Sequence, residues 1–168
     1  MQLTRPNRVR AVAMLLPALM LVSAVVAPGA AQASHDSGKR LCDQKFDGTF
    51  SHLHNFPLYR NGPGSTRVGR VSVNGQSRRQ GRKYRVCAVT IRRWHSNPKD
   101  TWAWVSRNGA FYRLDRGMFW RYAGPVVGGL YEGQRLTGGG RVLGACASFG
   151  VTWRKGGRPR LDGGGGCA

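Results

Sequence analysis

The chain has 168 residues, with 27 Lys plus Arg against 7 Asp plus Glu, a formal charge of +20. That length suits one domain, or at most two very small ones. Forty per cent apolar content with five Trp exceeds what a disordered basic tail carries, and the charge excludes an ordinary neutral secreted enzyme.

The N-terminus holds Arg5, Arg8 and Arg10, then an apolar run from Ala11 to Ala27, then Pro28-Gly29 and Ala31-Gln32-Ala33. A charged start, a short apolar run and small residues at the end are the parts of a secretory signal peptide. Residues 1–33 are therefore read as the signal and 34–168 as one secreted domain, cut before Ser34. The run is about 17 residues and contains Pro17, which is short for a membrane anchor. No adjacent Arg pair precedes it and no Cys sits at the cut, which disfavours the twin-arginine and lipoprotein routes. No second apolar stretch approaches membrane length.

Cys42, Cys87, Cys146 and Cys167 all lie in 34–168. An exported chain with an even count points to two disulfides. Zinc would need close pairs such as C-x-x-C, and there are none. Four cysteines allow three pairings, and sequence does not choose among them. The expected set is two non-overlapping loops, Cys42–Cys87 and Cys146–Cys167, the second tying down a glycine-rich tail.

Asn61-Gly62-Pro63-Gly64 reads as a loop, and Val68 to Val73 as a strand with Val71 and Val73 on one face. A tight turn at Asn74-Gly75 would set Val71 opposite Arg78, a poor match. A longer basic loop from Asn74 to Lys83 is expected instead, projecting into water. Tyr84 to Trp94 is the most apolar segment. Cys87, Val89 and Ile91 alternate with Val86, Ala88 and Thr90, so both faces are buried and the strand is central. Asn97-Pro98 starts a turn. Further strands are expected at Met118 to Tyr122, Gly124 to Val127 and Ala145 to Trp153, and a loop from Gly156 to Cys167. Helical periodicity is nearly absent. The expected fold is all-β, a small single-domain sandwich or barrel stapled by two disulfides.

Asn108-Gly109 between two β-like runs favours a two-residue hairpin turn. That register pairs Val105 with Tyr112, Ala103 with Leu114, Trp104 with Arg113 and Ser106 with Phe111. One face then holds Ala103, Val105, Tyr112 and Leu114, a core composition. The other holds Trp102, Trp104, Phe111, Arg113 and Asp115, a flat aromatic surface with a cation over an indole. Such a surface stacks on sugar rings or bases. The plainer reading makes Trp102 and Trp104 core.

Several of these features together resemble the spore-associated protein A family, small exported proteins of actinobacteria. They are the signal peptide followed by four spaced cysteines, the strand Val86-Cys87-Ala88-Val89-Thr90-Ile91-Arg92, the run Tyr122-Ala123-Gly124-Pro125-Val126, the Gly-rich stretch with Cys146, and a last cysteine near the C-terminus. The resemblance spans Cys42 to Cys167. It implies export and association with the cell or spore surface, and supplies no catalytic residues.

Basic residues cluster at Arg78, Arg79, Arg82, Lys83 and Arg85, at Arg92-Arg93 before Trp94, and at Arg154, Lys155, Arg158 and Arg160. The expected partners are anionic polymers of the cell surface or extracellular nucleic acid. The candidate ligand-binding residues are Arg78, Arg79, Arg82, Lys83, Arg85, Trp102, Trp104 and Arg113. The alternative is a small secreted nuclease with a carboxylate base and a His acid. It would draw on Glu132, the one glutamate, and on His52, His54 or His95, but no known spacing joins them. On a strand, His52 and His54 would point to one side, a weak zinc signal. No catalytic residue, metal ligand or cofactor is assigned.

Overall fold

The computed structural model describes residues 36–78, 83–108, 110–154, 156–163 and 166–167. The segment read as a signal peptide, and Arg79, Arg82 and Lys155, lie outside the described residues. The elements are α1 (Asp36–Lys45), β1 (Ser51–Tyr59), β2 (Arg67–Arg78), β3 (Lys83–Arg92), β4 (Lys99–Arg107), β5 (Ala110–Phe119), β6 (Tyr122–Leu130), β7 (Arg135–Val142), β8 (Ala145–Thr152) and β9 (Arg160–Gly163). They build two antiparallel sheets, β1-β2-β3-β6 and β5-β4-β7-β8-β9. The fold is the expected all-β, sandwich-like one, with both expected disulfides in place.

Period-two alternation explains the layers. Val71, Val73, Val86 and Ala88 of the first sheet meet Ala103, Val105, Leu136, Val142, Phe149 and Val151 of the second in one core. As expected, β3 is interior to its sheet and buried on both faces. Its other face, Cys87, Val89 and Ile91, forms a second cluster with Cys42 and Phe50.

That second cluster is roofed by α1, which the sequence reading misses. The helix is short and polar, so it is not stable alone. The Cys42–Cys87 bridge ties it to β3, and Arg70 Nη2 donates to Ser37 Oγ at 2.8 Å. Gly38 is buried against Ser72, where a Cβ would overlap the Ser72 side chain.

One strand is unanticipated, and two further expectations change. β7 runs through Gly138-Gly139-Gly140, a stretch with no strand signal. Gly140 faces the opposite sheet, where a Cβ would overlap Thr90 Oγ1 and stand 2.7 Å from Val71. Glycine is thus the only residue that fits between the layers here. Gly140→Ala is expected to lower stability by about 1–3 kcal/mol through overpacking, read as a lower urea midpoint. An unchanged midpoint would mean the layers yield freely at this point.

The strand expected at Met118 to Tyr122 is instead the end of β5, a bend at 120–121 and the start of β6. Arg92 braces the bend. Its backbone N–H donates to Arg121 O at 2.9 Å, and its guanidinium to Trp120 O at 2.9 Å, Phe119 O and Asn97 O at 2.8 Å. Arg92 is 4% exposed, so it belongs to the scaffold and not to a surface cluster with Arg93. The loop expected from Gly156 contains the short strand β9, paired along Phe149–Thr152 of β8.

Candidate functional site

The described part of the basic segment after Asn74, up to Arg78, is strand and not the expected loop, while residues 79–82 lie outside the described residues. β2 and β3 stay paired out to Arg78 opposite Lys83. Asn74 is fully buried, its Nδ2 donating to Ser72 Oγ at 3.3 Å and reaching Cys42 Sγ at 3.7 Å. Gly75 leaves room for Tyr84, whose Cζ and Cε1 would lie 2.6 and 2.7 Å from a Cβ. Asn and Gly here serve close packing beneath a helix and beside a ring, which sequence does not distinguish from a turn.

The correction moves the cations onto a rigid surface. Arg78, Lys83 and Arg85 share the face that carries Cys87, away from the core. Arg78 Nε donates to Gln76 Oε1 at 3.0 Å. Arg85 stacks over Phe46 and Phe50 at 5.5 and 5.6 Å, and Lys83 stands 5.5 Å over the Tyr131 ring. Burial lowers the Arg85 pKa and neighbouring Arg78 lowers it further, with Asp47 opposing. The three cations are thus positioned largely by aromatic rings and an amide, with Asp47 the carboxylate that acts on Arg85.

The second surface is the outer face of the five-stranded sheet. The strands of the hairpin pair up to Arg107 opposite Ala110, with Ser106 opposite Phe111, and Gly109 lies outside the described residues. A bulge between Val105 and Ser106 then shifts every pair by one. Val105 faces Arg113, Trp104 faces Leu114, Ala103 faces Asp115 and Trp102 faces Arg116. Ala103 and Val105 are buried as expected. Tyr112 and Leu114, expected in the core, are 46% and 47% exposed beside the tryptophans. Arg113 and Asp115 move to the other side. Arg113 stands 4.9 Å over the Tyr112 ring, and Asp115 Oδ2 accepts from Gly124 N at 2.6 Å, joining β5 to β6. The side chain of Phe111 lies outside the described residues.

An indole does carry a cation, but not Arg113. Trp102 has Arg116 at 3.9 Å and Arg141 at 5.6 Å, its cross-strand neighbours on β5 and β7. Its Nε1 donates to both Asp100 oxygens at 2.9 Å, and Asp100 lies 3.8 Å from Arg116. Each cation–π contact contributes about 0.5–1 kcal/mol at an exposed site. More important, stacking fixes each guanidinium plane and leaves N–H edges for an oxyanion. Trp104 is half-buried. A Cβ on Gly139 would lie 2.5 Å from its Cζ2 and 2.9 Å from its Cη2, so the indole rests on the β7 backbone. Arg116, Arg141 and Gly139 are the residues sequence reasoning misses here. Only the bulge and the β7 pairing would have found them.

These two surfaces sit on different sheets, each facing away from the shared core. The structure therefore does not bring Arg78, Lys83 and Arg85 together with Trp102, Trp104 and Arg113.

His52 and His54 lie on a strand but do not point to one side. A bulge in β1 sets His52 opposite Asn74 and His54 opposite Val73, adjacent residues that point to opposite faces. His54 packs edge-on against Phe56 at 4.6 Å, and His95 Nδ1 lies 3.2 Å from Trp120 O. Glu132 is exposed in the turn between β6 and β7. Among the described residues no group of three His, Cys, Asp or Glu is placed to hold a metal, and no helix is long and apolar enough to cross a membrane. No protein-family model, curated protein or solved structure matches the chain.

Proposed function

We propose that the protein is exported and binds anionic polymers outside the cell, among them cell-wall polymers, acidic polysaccharide or extracellular nucleic acid. The supporting observation is the unneutralised charge. Seven carboxylates face the 24 cations left once residues 1–33, with Arg5, Arg8 and Arg10, are removed, and Arg78, Lys83 and Arg85 rest on aromatic rings and an amide. Two disulfides suit an oxidising compartment. The resemblance to the spore-associated protein A family adds attachment to the cell wall or spore surface.

Salt titration tests the reading. Binding to DNA, heparin and teichoic acid is expected at about 50 mM salt, falling linearly in log–log form. Arg78→Gln, Lys83→Gln and Arg85→Gln together should flatten the slope by about 0.7–0.9 for each phosphate they cease to neutralise. Trp104→Ala, with its fold checked by circular dichroism, should remove any binding that survives high salt, because stacking is not screened. No binding at low salt, or an unchanged slope in the triple variant, would sink the proposal or its first surface. A zymogram with embedded RNA or DNA is expected to stay unclear. Clearing that Glu132→Ala abolishes would replace polymer binding with nuclease chemistry.

A further inference from the structure

The third basic cluster closes on a cavity. Trp153 is 3% exposed and stacks on Tyr84 at 5.8 Å, and its carbonyl accepts from Gly133 N at 2.9 Å. The chain therefore leaves the sandwich from a fixed point. Gly157 N donates to Arg154 O at 3.1 Å, and Gly156 takes a φ of 75°, which a side chain would resist. The turn returns through Pro159 into β9, with Arg160 opposite Thr152.

The result is a cleft of 480 Å³ lined by Arg154, Arg158 and Arg160, by Arg135 of β7, and by Thr152 and Asp162. Arg135 is held in place. It lies across Gly150, where a Cβ would come 2.5 Å from its Nη2, and that Nη2 is 2.7 Å from Asp162 Oδ2. Four guanidiniums thus face one carboxylate.

We propose that this cleft binds closely spaced phosphate groups, such as a pyrophosphate or a short polyphosphate segment. Guanidinium forks engage two oxygens at a time and match phosphate geometry. One phosphate would leave most of the positive charge, and most of the volume, unfilled. The volume falls within the usual range of about 300–1,000 Å³ for small-molecule sites. Asp162 positions Arg135 while leaving the lining cationic. The inference rests on the polyanion reading for the class of ligand, and it names the group recognised.

Calorimetry with pyrophosphate, orthophosphate, sulfate and citrate at one ionic strength tests it. Pyrophosphate should bind at least about tenfold more tightly than citrate, an anion of similar charge and different geometry. Arg154→Gln, Arg158→Gln and Arg160→Gln together should weaken it about a hundredfold. Arg40→Gln, Arg60→Gln and Arg121→Gln remove the same charge elsewhere and should change it less than about threefold. Gly150→Ala leaves the lining residues intact but displaces the Arg135 guanidinium, and should weaken binding about tenfold with an unchanged melting point. Equal losses in the two triple variants, or citrate bound as tightly as pyrophosphate, would overturn the proposal. If DNA and heparin bind but pyrophosphate does not, the cleft is wrong and the polyanion reading stands. If none of them binds, both fail.

Discussion

Replacing Cys42 and Cys87 with alanine is expected to lower stability by about 4 kcal/mol, the loop-closure value for a bridge spanning 45 residues. Both half-cystines are fully buried, and the bridge joins α1 to the central strand. Without it the short polar helix has little reason to stay. Its departure exposes Phe50, Val89 and Ile91 and removes the sulfur contact of Asn74, leaving its bond to Ser72. A urea titration should show a lower midpoint and a smaller m-value if the helix is already lost in the native state. The Cys146–Cys167 pair spans 21 residues and ends in an exposed tail. Its removal should stay below the loop-closure figure of about 3 kcal/mol. A reversed order, with the tail bridge more important, would mean that α1 is held by its packing alone.

Arg92→Met should be nearly as damaging, at about 3–5 kcal/mol. The guanidinium is buried and donates to three carbonyls, on Asn97, Phe119 and Trp120. Hydrogen bonds to a charged group contribute about 1.5–3 kcal/mol each, and deleting the donor removes three at once from part-buried acceptors. Burial lowers the Arg92 pKa from its ordinary value, yet an arginine stays protonated at any working pH. The loss should therefore be independent of pH. Arg92→Lys should recover part of it, since an ammonium keeps three donors but not the planar fork. A melting point for Arg92→Met within a degree or two of wild type would return this residue to the surface charges.

What is legible in the sequence is whatever two apolar faces or a strong turn signal announce. β3 is plain because Cys87, Val89 and Ile91 alternate with Val86, Ala88 and Thr90, and both sets are buried. Export logic anticipates two disulfides, and of the three pairings the favoured one is the one found. The failures share a cause, which is that the deciding partner is far away in the chain. Gly138-Gly139-Gly140 looks like a loop until Phe149, Trp104 and Thr90 are seen filling the spaces its missing side chains leave. Asn74-Gly75 looks like a turn until α1 and Tyr84 are placed over it. The helix has a single Leu and a half-cystine as its apolar face. At the hairpin the pairing of the two strands is right and the face assignment on β5 wrong, because one bulged residue reverses the orientation of everything beyond it. The third cluster is visible as a charge run, but the cleft depends on Arg135 arriving from β7, and no local pattern marks that.

The back-to-back placement of the two cationic surfaces sets a valency. Stacked sheets lie about 10 Å apart, so Arg78, Lys83 and Arg85 point one way and Arg116 and Arg141 the other, with the core between them. A straight stretch of stiff polymer can lie along one of these faces but not both. Under the proposed polymer binding these two sheet faces would act as independent grips, and a second polymer strand could take the unused one. At matched stoichiometry such a protein bridges strands into a network. With polymer in excess each molecule is saturated by separate strands and the network dissolves, so turbidity should rise and fall as polymer is added.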